Sequence, residues 1–223
     1  MKLFIIKKRN LLIINLLILI VIAFFTCFSV NSIPTSAIEL TCDAIISNDF
    51  KNKVQALAKG DEKIAYLTFD DGPNPSITPK VLDILQKENV KATFFVIGKN
   101  VDSYPNIVKR AYDEGHYIAN HGYDHNNNHL YKNNDSFINE VKNTDIAIGK
   151  AIGVDNYCAH VFRFPNGFMS PNNKSKKKKA VLLLSQMNYT YIDWNCLNND
   201  SVKKYSSSQL LNNLKNLLKT KIL

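Results

Sequence analysis

A chain of 223 residues has room for one domain of ordinary size plus a short appendage, and an apolar content of 45% excludes general disorder. The formal charge of +9 is uneven: Lys2, Lys7, Lys8 and Arg9 open the chain, Lys174 and the run 176–179 form a second cluster, and more lysines lie near the end. Such runs read first as solvated surface and second as attraction to anionic lipid or an acidic cell-wall polymer. Nucleic-acid partners are excluded, since no aromatics interleave the lysine run and no zinc-finger or helix-turn-helix pattern accompanies it.

In chain order, the basic segment 1–10 is followed by an apolar stretch over 11–28, interrupted only by Asn15 and Thr26. At about 18 residues it has the length of a membrane-spanning helix and exceeds the apolar core of a cleavable signal. The positive-inside rule predicts a cytoplasmic N-terminus, a single pass, and an extracellular remainder anchored to the cell membrane. Thr35 and Ala37 offer an alternative, a signal-cleavage site that would release a secreted form. Residues 29–62 are polar and read as a stalk with one short helix over 49–59.

Four cysteines are too few for a disulfide scaffold: Cys27 lies in the apolar span, Cys42, Cys158 and Cys196 lie beyond it, and none forms a CxxC pair. A Cys158–Cys196 bridge is open to the chain in an oxidising compartment. The chain reads as a monomer.

From residue 63 strands alternate with helices. Residues 64–69 read as a strand ending in acids, and Asp71-Gly72-Pro73-Asn74-Pro75 as a turn. Thr78 is expected to cap a helix with Pro79 at its first position and Val81, Leu82 and Leu85 on one face. Strands are expected at 92–97, 117–119, 161–164 and 189–193. Helices are expected at 105–114 (closed by Gly115), 136–152, 177–187 and 209–219. Repeated strand–helix units predict an α/β fold with a parallel sheet, open or closed into a barrel. Functional residues of such folds collect at the carboxyl ends of strands. Asp70, Asp71, His121, His125, Arg163 and Asp193-Trp194 all occupy such ends in this reading.

Four segments carry the chemistry. In Thr68-Phe69-Asp70-Asp71-Gly72 two adjacent carboxylates repel each other unless a cation or basic partner is near, although a bare Asp-Asp pair is more often a turn. His121 and His125, at i and i+4, would present both rings on one face of a helical turn, a spacing that lets two imidazoles hold one ion. Two imidazoles and one carboxylate with open positions make a catalytic rather than a structural site. Arg163, before Phe164-Pro165-Asn166-Gly167, can aim a planar fork at a carboxylate or lie on the surface before a turn. Tyr191-Ile192-Asp193-Trp194 holds the only Trp, which on its own reads equally as core.

Together, these segments resemble the polysaccharide deacetylases with a NodB homology domain, the carbohydrate esterase family 4 enzymes. Their first motif, TFDDG, stands unaltered at 68–72; the second, H-[ST]-x-x-H, carries Gly122 in the hydroxyl position; the third, R-x-P-[YG], ends in Asn166; the fourth centres on Asp193-Trp194. Lys91-Ala92-Thr93-Phe94-Phe95-Val96 and Glu114-Gly115-His116-Tyr117-Ile118-Ala119-Asn120-His121 also match in style, so that the resemblance covers about 63–223.

The resemblance implies a NodB-type distorted (β/α) barrel that removes N-acetyl groups from a cell-surface polysaccharide, with N-acetylglucosamine of peptidoglycan favoured over a chitin-like oligomer. It implies that Asp71, His121 and His125 hold a divalent ion, zinc foremost, and that Asp70 is the general base, oriented by Arg163. Asp193 would support Arg163, Pro165 and Asn166 would form the substrate side of the loop with the Asn166 N–H at the oxyanion, and Trp194 would wall the acetyl pocket. The family's last motif, L-x-L-H, supplies a general acid. None of the five histidines follows Trp194, and Lys221-Ile222-Leu223 look like that strand's opening residues. The expectation is therefore a barrel short of its final strand, with impaired activity, or a catalytically silent module that binds metal and glycan.

Overall fold

A computed structural model describes residues 65–221 apart from 198 and 202. The expected segments at 1–10, 11–28 and 29–62, including the membrane-spanning helix, the cleavage site and the short stalk helix, lie outside the described residues. Among the described residues no helix is long and apolar enough to cross a membrane.

In chain order the elements are β1 (Thr68–Gly72), α1 (Thr78–Lys87), β2 (Thr93–Val96), α2 (Gly98–Ser103), α3 (Pro105–Asp113), β3 (Tyr117–Asn120), α4 (Asn127–Leu130), α5 (Asn134–Ile152), β4 (Val161–Phe162), α6 (Lys174–Gln186), β5 (Thr190–Tyr191) and α7 (Ser207–Lys221). The strands form one parallel sheet in the order β1-β2-β3-β4-β5. Each new strand joins the same edge, so right-handed crossovers carry the connecting helices to one face, as in a barrel and unlike a doubly wound sheet. The carboxyl ends of all five strands consequently point the same way.

The core is built from two apolar clusters. Leu67, Leu82, Phe94, Val96, Val108 and Ile118 pack the first, between β1–β3 and helices α1 and α3. Phe137, Val141, Phe162, Phe164, Ala180 and Leu184 lead the second, beneath β4 and α6. Helix α5 joins them: Phe137, Val141, Ile148 and Ile152 recur at helical spacing along its buried face. Its ends follow sequence chemistry, with the Asn133 side chain accepting from the Ser136 N–H at 2.8 Å and Gly153 closing it at φ 74°.

Several boundaries differ from the sequence expectation. Helix α1 begins at Thr78, and its entry is tied by Asn74, whose Oδ1 accepts from the N–H groups of Ser76 and Ile77 at 2.9 and 3.0 Å. The Thr78 hydroxyl instead accepts from the Asn74 N–H at 2.8 Å. Strands β4 and β5 are two residues each, so Arg163 and Asp193 lie just past them. Helices α2 and α4 were not expected, because six and four residues leave no readable periodicity.

The Cys158–Cys196 bridge that the sequence left open does not form. Cys196 is buried and forms no disulfide, whereas Cys158 is disulfide-bonded.

Candidate metal centre and its surroundings

The two acids of β1 share one end of the sheet because the strand is irregular. Asp70 pairs with Phe95 and Gly72 with Val96, leaving Asp71 as the extra residue of a bulge, at φ 68°. Neighbours in a regular strand point to opposite faces, whereas a bulge re-aims a side chain. Asp70 thereby meets Arg163 while Asp71 meets the histidines.

His121 and His125 are brought together by a loop, not by the helical turn expected from their spacing. Asn120 ends β3, Gly122 takes φ 84°, and His125 takes φ 58°. Glycine adopts that conformation readily, which accounts for Gly122 at a position the family fills with Ser or Thr. Two side chains missed by the sequence reading hold the loop. Asn120 Oδ1 accepts from the Gly122 N–H at 2.9 Å, and Glu140 Oε2 accepts from the N–H groups of Tyr123 and Asp124 at 2.7 and 3.1 Å. Burial raises the Glu140 carboxyl above its ordinary value, against the lowering effect of these two donors. Asn120 is itself anchored, donating to the Val141 carbonyl and the Asp145 carboxylate at 2.8 and 3.0 Å.

Nε2 of His121 and of His125 lie 3.2 and 3.3 Å from Asp71 Oδ1, and one donor atom from each of the three residues falls within 4.8 Å of the others. The fit to a cation can be tested on His121. Its Nδ1 lies 2.7 Å from the Arg163 carbonyl, which can only accept, so Nδ1 carries a proton and Nε2 is the ring atom that faces Asp71. An imidazole oriented in this way by a carbonyl acceptor presents its other nitrogen to a cation. Burial, followed by the neighbouring His121, lowers the His125 pKa, which also favours the neutral, donating ring. The three residues therefore fit a divalent ion.

Arg163 is fully buried. Its Nε donates to the Ile192 carbonyl at 2.9 Å, and its Nη1 donates to Thr68 Oγ1 and Asp70 Oδ1 at 2.8 and 2.7 Å. The guanidinium carbon lies 3.8 Å from the Phe95 ring centroid and 5.3 Å from that of Trp194. Thr68, Phe95 and Ile192 were not anticipated; a threonine in a strand and a backbone carbonyl leave no sequence signal.

The loop after Arg163 is a tight turn in which the Gly167 N–H donates to the Phe164 carbonyl at 2.7 Å. Pro165 and Asn166 are its corner residues, Asn166 at φ 62°, as a type II turn requires. Pro165 is buried and Asn166 exposed, so Pro165 shapes the loop while Asn166 faces outward. Asp193 is not placed as expected: its Oδ2 accepts from the N–H groups of Phe168 and Met169 at 2.9 and 3.3 Å, bracing the loop instead of pairing with Arg163. The chain leaves β5 at Tyr191 and turns this carboxylate toward 168–169, while the Ile192 carbonyl takes Arg163 Nε. Trp194 lies against Gly167, where a Cβ would come within 2.8 Å of the indole.

The model of the polysaccharide deacetylase family matches residues 57–192. A peptidoglycan-N-acetylglucosamine deacetylase of Bacillus cereus is 39% identical over 137 residues, 61% of this chain and 48% of that protein. The peptidoglycan-N-acetylmuramic acid deacetylase PdaA of Bacillus subtilis is 34% identical over 150 residues, 67% of this chain and 56% of that protein. The chain thus spans about half the length of these curated relatives. Among solved structures, the catalytic domain of a peptidoglycan N-acetylglucosamine deacetylase from Eubacterium rectale superposes with a TM-score of 0.64 at 30% identity, covering 70% of this chain and 71% of that one. The polysaccharide deacetylase Bc1974 from Bacillus cereus gives 0.57 at 34%, covering 70% and 71%. Match, fold and site geometry agree, and the chain belongs to the polysaccharide deacetylase family.

Proposed function

We propose that the domain is a metal-dependent hydrolase that removes N-acetyl groups from cell-surface polysaccharide, with N-acetylglucosamine of peptidoglycan the favoured substrate. The observation that carries this reading is the convergence of Asp71, His121 and His125 beside an Asp70 fixed by Arg163. The names borne by the relatives support the substrate class.

Asp71, His121 and His125 would hold the ion, zinc foremost. When bound, such an ion polarises the acetamide carbonyl and makes water a competent nucleophile near neutral pH. Asp70 accepts the proton of the attacking water, and Arg163 holds its carboxylate aimed at that water. Water oxygen bonds to the acetyl carbon, the carbon–nitrogen bond breaks, and the proton held on Asp70 is available to the departing amine. The products are acetate and a free amino sugar. The Asn166 N–H, at the outer corner of its turn, stabilises the developing oxyanion. Pro165 shapes that turn and Trp194 walls the acetyl pocket. Asp193 acts by bracing the loop.

The domain spans 63–223, acts as a monomer, and is tethered by segment 11–28 to the outer side of the cell membrane. The deciding experiment measures acetate release by the full chain from N-acetylglucosamine oligomers and from peptidoglycan, with and without zinc, alongside Asp70→Asn. Zinc-dependent release lost in the variant is expected. No release from a folded, zinc-binding protein would overturn the hydrolase and leave a metal- and glycan-binding module.

A further inference from the structure

Of the five lysines at the start of α6, four are exposed and one is not. Lys177 is 2% exposed. Its ammonium crosses from the helix to the underside of the loop that follows Arg163, where Nζ donates to the Gly167 carbonyl at 2.6 Å and the Ser170 carbonyl at 3.3 Å. The next two backbone groups, the N–H of Phe168 and of Met169, are taken by Asp193. Four consecutive residues, 167 to 170, are therefore pinned by one buried cation and one carboxylate. The turn bond from Gly167 to Phe164 and the Trp194 ring against Gly167 remove the remaining freedom.

We propose that Lys177 is a positioning residue for this loop: by holding the Gly167 carbonyl it fixes the closing residue of the turn whose corner carries the Asn166 N–H, and so the direction of that N–H toward the reacting carbonyl. The proposal rests on the hydrolase reading above. Its physical ground is that burying an ammonium is costly, while a hydrophobic side chain of similar length would pack the same space at less cost. Burial lowers the Lys177 pKa and the nearby Asp193 raises it, in keeping with a cation retained through its partners. An oxyanion donor is effective only when its direction is set before the charge develops, and loss of such a donor costs about 10²–10³ in rate.

The test compares full-length protein with Lys177→Met, which keeps the hydrocarbon stem and removes the cation, and with Lys177→Arg, which keeps the cation. In Lys177→Met, kcat should fall about 10-fold or more with KM changed less than about 2-fold, since the loss is confined to the transition state. Zinc affinity should stay unchanged, and amide exchange at Phe168 and Met169 should quicken by about 10-fold or more while that of β3 does not. Lys177→Arg should recover part of both. Equal slowing of every parameter in step with lost stability would overturn the proposal in favour of a purely structural lysine. Unchanged kcat and unchanged exchange would overturn it outright. If wild type releases no acetate, the hydrolase reading fails, and local exchange still decides whether Lys177 holds the loop.

Discussion

Nη1 of Arg163 lies 2.7 Å from Oδ1 of Asp70, although 93 residues separate the two in sequence. The pair is deeply set, Arg163 with no exposed side-chain surface and Asp70 with 11%. Removing one member of such a pair leaves the other buried and uncompensated.

Arg163→Met should therefore destabilise the domain by about 3–5 kcal/mol, read from urea denaturation. Arg163→Lys keeps the charge but not the fork that reaches Thr68, Asp70 and Ile192 together, and should lie between Met and wild type.

Metal binding should be visible without catalysis. Zinc at about 100 times its dissociation constant should stabilise the wild type by about 2.7 kcal/mol, read as a rise in Tm that a chelator reverses. His125→Ala and Asp71→Ala should each abolish most of that rise. A zinc response unaltered in both would place the ion elsewhere.

Two buried groups give opposite pH dependence. Burial pushes Asp145 up to about 6, against the donors Tyr189, Asn120 and Ala159, so between the ordinary value of 3.8 and 6 the folded state binds the proton better and stability falls as pH rises. Burial, helped by Lys91, pushes His116 down to about 4 from 6.5, so over that range the unfolded state binds the proton better and stability rises with pH. In the wild type the two largely offset between pH 4 and 6. Asp145→Asn should expose the rising limb and His116→Gln the falling one, measured as urea midpoints at each pH.

Two glycines with positive φ should separate strain from collision. Gly153 has φ 74° and nothing within 4 Å of a built Cβ, so Gly153→Ala should cost only the conformational penalty, roughly 1–2 kcal/mol. Gly167 has φ 79° and a Cβ there would lie 2.8 and 3.0 Å from two indole carbons of Trp194. Gly167→Ala should cost clearly more in thermal stability and should also depress kcat, because it displaces the Asn166 peptide.

Much of this was legible in the sequence. Short apolar runs ending in acids, histidines or Arg163 marked the strands, and Thr68-Phe69-Asp70-Asp71-Gly72 with the later segments marked the site. What escaped reading depends on register and on distant partners. The bulge at Asp71 exists only against β2. The i, i+4 spacing of His121 and His125 was correct while its helical geometry was not, since Gly122 bends the chain and Glu140, on another helix, holds it. Asp193 pairs with backbone N–H groups, which no side-chain motif announces. Lys177 was hidden among identical neighbours: composition made it a surface charge, and only packing set it apart.

The order of the strands bears on how the site comes together during synthesis. Each strand pairs with the one made before it, so the sheet can grow from its first edge as the polypeptide lengthens. Asp71, His121 and His125 flank β1 and β3 and can meet once three strands have joined, before β4 delivers Arg163. All three residues that would hold an ion are thus synthesised before the one that governs Asp70.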